Sequence, residues 1–166
     1  MATQTVRALE IAYEPLHQWE NFEAAASTFR LGAVLSFDSS GRLTEASATA
    51  ETPLVGIATK AGSNTAASGT TYSKCTYVPL LPGTIIEGNL VLGAAGNSTL
   101  IVASHVGLRV GLIKRTAESN VPWAFDASVT GTNLAHIRII GVRDASGDVN
   151  ARVYGIVLAS HSFWGG

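Results

Sequence analysis

The chain has 166 residues, the size of one ordinary domain, and its 11 Lys plus Arg against 12 Asp plus Glu leave a net charge of −1. That balance excludes nucleic-acid binding by bulk charge, and no apolar stretch is long enough to cross a bilayer. Charged residues make up only 14%, while Ala, Gly, Thr and Ser fill 72 positions; such a weakly polar surface calls for cover in an assembly.

Residues 1–31 carry six of the 23 charged groups and four of the twelve aromatics, Tyr13, Trp19, Phe22 and Phe29, which sets them apart from the rest. They are expected to form an N-terminal arm ahead of a β-domain at 32–166. Pro15 followed by Leu16, Trp19 and Phe22 at a spacing of three fits a short helix at about 15–26. An arm extended over a neighbour fits equally, and on either reading Trp19 and Phe22 need an apolar surface. Removing residues 1–24 is expected to leave the β-domain folded. Acids at Glu10, Glu14, Glu20 and Glu23, with no apolar core segment, argue against a secretory leader, so synthesis in the cytoplasm is expected.

After Arg30 the texture becomes short apolar or alternating runs broken by Gly, Asn, Asp and Ser, the signature of an all-β fold. Strands are expected at 34–37 and 42–45, joined as a hairpin by the Asp38-Ser39-Ser40-Gly41 turn. A strand at 53–59 and an exposed loop at 61–71 follow. Further strands are expected at 75–81, 85–92, 100–103, 107–115, 121–125, 134–142 and 149–158, the last two pairing as a hairpin. Gly41 and Gly83, the latter after Pro82, supply the positive φ that tight turns require. The architecture expected is one compact β-barrel or β-sandwich domain.

Motifs that carry chemistry are scarce. There is no Gly-x-Gly-x-x-Gly fingerprint, no phosphate-binding Gly-x4-Gly-Lys loop and no Gly-x-Ser-x-Gly elbow. His17, His105, His136 and His161 stand apart from one another and from other ligand types, so no metal is expected and each reads as a surface or strand-edge residue. Cys75 excludes an internal disulfide and, with strand-like neighbours, reads as a small buried residue. Asp38, Asp144 and Asp148 lie in turns, where their carboxylates cap backbone N–H groups. The single basic doublet, Lys114-Arg115, reads as a solvated strand end. No catalytic residue and no cofactor are expected, and the chain does not read as an enzyme.

Two stretches resemble a known family. Residues 25–46, Ala-Ala-Ser-Thr-Phe-Arg-Leu-Gly-Ala-Val-Leu-Ser-Phe-Asp-Ser-Ser-Gly-Arg-Leu-Thr-Glu-Ala, run on to Pro53-Leu54-Val55-Gly56-Ile57-Ala58. With Pro82-Gly83-Thr84-Ile85-Ile86-Glu87 beyond, this is similar to the pattern of tailed-bacteriophage head decoration (cement) proteins. The resemblance implies a virion protein on the outer surface of an icosahedral capsid, a homotrimer that contacts the major capsid protein and clamps neighbouring capsomers, without direct contact with nucleic acid or membrane. On that reading the interface anchors are Trp19, Phe22, Phe29, Phe163 and Trp164, because buried aromatics dominate binding energy. The alternative for each is to complete the protomer's own core. Other classes stay open: a tail-tube, connector or head-fibre-base subunit, or a receptor- or carbohydrate-binding module, against which the aromatic-free loop at 61–71 counts.

Overall fold

The computed structural model describes residues 7–12, 17–48, 53–64, 73–96, 102–116, 122–131, 134–145 and 148–164. Thirteen strands run through them: β1 (Glu10–Ile11), β2 (Trp19–Phe22), β3 (Thr28–Phe29), β4 (Val34–Phe37), β5 (Leu43–Glu45), β6 (Gly56–Ala58), β7 (Gly62–Ser63), β8 (Lys74–Pro79), β9 (Ile85–Val91), β10 (Arg109–Lys114), β11 (Trp123–Asp126), β12 (Ile137–Val142) and β13 (Arg152–Val157). The fold is all-β.

The first half makes a five-stranded sheet in the order β2-β8-β6-β4-β5. A parallel bridge from Glu23 to Leu43, with Ala24 N–H donating to the Leu43 carbonyl at 2.8 Å, joins its two edges. The second half closes a five-stranded barrel, β9-β11-β10-β12-β13 and back to β9, with β9 and β11 parallel and the other neighbours antiparallel. Closure removes free strand edges, and β1 covers the remaining side of β9 through Glu10 and Ile11.

A single apolar cluster runs through both halves, from Val34, Leu35, Leu43, Leu54 and Ile57 to Ile86, Leu90, Leu112, Phe125, Ile137 and Val153. Burial alternates along the strands: in β12 Ile137 and Ile139 point in while Arg138 and Ile140 point out. Glu45 in β5 ties the halves together, accepting from Trp123 Nε1 at 3.0 Å and from the Lys114 ammonium.

The two expected hairpins are present, β4–β5 and β12–β13, the second with a bulge between Ile139 and Gly141. The Asp38 carboxylate accepts from Ser40 and Arg42 N–H, closing the first turn, and Gly41 and Gly83 have φ of 72° and 88°. Asp144 caps Arg152 N–H at 2.8 Å.

Four expectations change. The helix at 15–26 is replaced over the described residues by β2, because Trp19–Phe22 pair with Tyr77–Lys74 and a ladder outcompetes one isolated helical turn. The strand at 100–103 gives way to a 3₁₀ turn at Val102–His105, its first two residues lying outside the described ones. Of the two readings left open for the N-terminal segment, its described residues take the one within the chain: β1, β2 and β3 pair with β9, β8 and β7. Removing residues 1–24 would therefore strip an edge strand and the buried Glu23, whose carboxylate accepts from Ser63 and Asn64 N–H at 2.8 and 2.9 Å. Most of the loop expected at 61–71 lies outside the described residues, but its start is β7.

Candidate functional site

The large aromatics at the two ends of the sequence meet in space. Ser162 forms a parallel bridge with Leu54, Phe163 N–H donates to the Leu54 carbonyl at 2.9 Å, and Ser162 Oγ donates to the Leu80 carbonyl at 2.6 Å. The indole of Trp164 donates from Nε1 to the Val55 carbonyl at 3.0 Å. These bonds fix the tail across the first sheet. Trp164 then meets Trp19 of β2 edge-to-face at a centroid distance of 4.8 Å, and Phe163 meets Phe37 of β4 at 5.1 Å. Phe163 and Trp164 lie 5.0 Å apart, and Trp19 reaches Tyr77 of β8 at 6.4 Å.

The cluster has a buried floor and an exposed rim. Tyr77 is buried, and burial pushes its phenol above the ordinary range, so it stays neutral. Phe37 and Trp164 are half-buried against the core. Trp19 and Phe163, at 39% and 50% exposure, form the rim. Each ring is already held by an edge-to-face partner, so little side-chain freedom remains to be lost on binding. The platform has no catalytic group. What it offers is apolar area: covering the open parts of Trp19 and Phe163, very roughly 150–200 Å² together, would contribute on the order of 4–5 kcal/mol before the cost of association.

Of the five sequence candidates, the structure brings together Trp19, Phe163 and Trp164, and adds Phe37 and Tyr77, which no local pattern distinguishes from core residues. Phe22 lies on the opposite face of β2, because strand side chains alternate, and there the Lys74 ammonium sits 5.5 Å from its ring centroid. Phe29 is removed from the candidates: it is 5% exposed and packs over Gly62, its partner in the β3–β7 ladder.

The chemistry-bearing residues that sequence reading singles out are taken up by the fold at the following places. A cleft of about 240 Å³ is lined by Arg30, Leu31, Gly32, Glu45 and Trp123, but both oxygens of Glu45 are engaged at the seam between the halves. Cys75 is fully buried, and desolvation, with the nearby Glu23 carboxylate second, raises its thiol to about 11, so it is no nucleophile at neutral pH. Two residues read as surface groups are interior: His136 is 1% exposed, and Arg115 is fully buried with Nη1 donating to the Gly93 carbonyl at 3.0 Å and to that of Gly96. Among the described residues no group of three or more His, Cys, Asp or Glu could hold a metal ion, and no helix is long and apolar enough to cross a membrane.

No protein-family model, curated protein or solved structure matches this chain.

Proposed function

We propose that this chain is a virion structural protein of the capsid-decoration type, which binds the outer surface of an icosahedral head as a homotrimer and stabilises contacts between capsomers of the major capsid protein. The observation that carries the reading is the aromatic platform of Trp19, Phe37, Phe163 and Trp164, half-open to solvent and fixed in place on a rigid, charge-poor β scaffold. Such a platform suits a protein that must seat many copies on a shell, where weak mutual repulsion helps and no reacting group is needed. The closed barrel and the apolar core that runs through both halves suit a protein that bears mechanical load. The first-hairpin sequence that resembles decoration proteins folds as an antiparallel hairpin.

The test is binding to undecorated heads, read by co-sedimentation and by mass measurement of the free protein. The wild type is expected as a trimer that saturates heads, and the W19A/F163A variant is expected to stay folded while losing at least tenfold in affinity. A monomer that ignores heads, or a variant that binds as tightly as wild type, refutes the reading.

A further inference from the structure

Residues directly opposite in an antiparallel ladder project to the same face, so a like-charged pair there is unfavourable unless something neutralises it. Two such pairs occur among the described strands: Glu10 opposite Glu87 in β1–β9, and Arg109 opposite Arg138 in β10–β12. The chain treats them differently. Between the two glutamates it inserts a buried guanidinium: Arg152 Nε lies 2.6 Å from Glu87 Oε1, and Arg152 Nη2 lies 3.5 Å from Glu10 Oε2. Arg143 adds a second cation on Glu87, and that carboxylate in turn raises the Arg143 guanidinium further above its usual range.

The arginine pair has no such relief. Among the described residues neither Arg109 nor Arg138 makes an ion pair or a side-chain hydrogen bond. Their neighbours Val110 and Ile137 are fully buried, so both guanidiniums face outward from the barrel. Around them stands an aliphatic rim. Ile140, two residues from Arg138, shares this outer strip. Gly107 N–H donates to the Ile139 carbonyl at 2.8 Å and Ile139 N–H to that of Leu108 at 3.0 Å, which sets Leu108 opposite the inward Ile139, at the end of the barrel beside the strip. Val106 and Leu108 are each 47% exposed and Ile140 42%.

We propose that this strip is a second docking surface, whose occupant is an acidic polypeptide segment with carboxylates spaced among aliphatic side chains. Charge complementarity argues it: two neighbouring guanidiniums on one face each match a carboxylate in the bidentate fashion, and their like charge is relieved when one arrives. The exposed Val106, Leu108 and Ile140 beside the two arginines favour a polypeptide over a nucleic acid, whose phosphates would meet those aliphatic groups. The surface is distinct from the aromatic platform and stands whether or not that platform binds a capsid.

The probes are a labelled eight-residue peptide alternating leucine and glutamate, its counterpart with glutamine for glutamate, and a 20-base-pair DNA duplex, each titrated at low salt by fluorescence anisotropy. The acidic peptide is expected to bind at least tenfold more tightly than the glutamine peptide, and to lose at least tenfold in the R109Q/R138Q variant. Independently, R138E, which sets a carboxylate opposite Arg109, is expected to melt at or above the wild-type temperature while losing the acidic peptide. Equal binding of the two peptides, binding indifferent to R109Q/R138Q, preference for the duplex, no acidic-peptide binding at millimolar concentration, or a lowered melting point for R138E would each overturn the proposal.

Discussion

Gly62→Ala tests whether the aromatic-rich first segment belongs to the protomer. Phe29 lies directly opposite Gly62 in the β3–β7 ladder, and its ring covers the glycine. A β-carbon built at Gly62 would lie 2.4, 2.5 and 2.6 Å from three carbons of that ring. Carbon atoms in contact sit at about 3.5–4.0 Å, so the ring must retreat by roughly 1 Å. Phe29 is buried in the main apolar cluster, and the retreat must displace core neighbours. Overpacking of this kind costs about 1–3 kcal/mol, which in a domain of this size lowers Tm by about 2–4 °C per kcal/mol. Phe29→Leu alone removes ring atoms from the core and destabilises as well. In the double variant the smaller side chain makes room for the methyl group, so the two losses should fail to add by about 1 kcal/mol or more. Urea unfolding of the four proteins, in a buffer where the oligomeric state is constant, measures the cycle. A G62A loss below about 0.5 kcal/mol, or strict additivity with F29L, would mean that Phe29 does not pack on Gly62 of its own chain. The placement of Phe29 in the protomer's own core would then fall.

Two further outcomes follow from the buried polar groups. Glu87→Ala strands the buried Arg152 guanidinium with only the distant Glu10 carboxylate, so it should cost about 3 kcal/mol in chemical denaturation; a loss under 1 kcal/mol would show that water reaches Arg152. Cys75 makes stability fall with alkaline pH: its thiol is raised from 9.0 to about 11 in the fold. Above pH 9 the unfolded chain gives up a proton that the folded chain keeps, so unfolding gains. The effect is absent below pH 9 and complete above about pH 11, where it amounts to about 2–3 kcal/mol. The urea midpoint of wild type should therefore drop more steeply over that range than that of Cys75→Ala, and parallel curves would refute the assignment.

The class of the fold and much of its grammar are legible in the residues read one after another. Alternation and turn residues are local signals, so the hairpin at 34–45, its Asp38 cap, the β12–β13 hairpin and the buried Cys75 could all be read from neighbouring residues. The shortage of charge and the concentration of large aromatics near both ends were equally visible. Tertiary structure alone decided where those aromatics go. A spacing of three at Leu16, Trp19 and Phe22 suits a helix until β8 offers a ladder, and nothing near Phe29 announces that Gly62 will leave a space for its ring. Arg115 looks solvated from its neighbours alone because its acceptors, the Gly93 and Gly96 carbonyls, lie on another turn. Likewise the contrast between the neutralised glutamates and the unrelieved arginines exists only in the register of β1 on β9 and of β10 on β12. Hydrophobic period is written along the chain, but register is set by which distant strands can bury their apolar faces together. The aromatic platform and the arginine strip are both products of that choice.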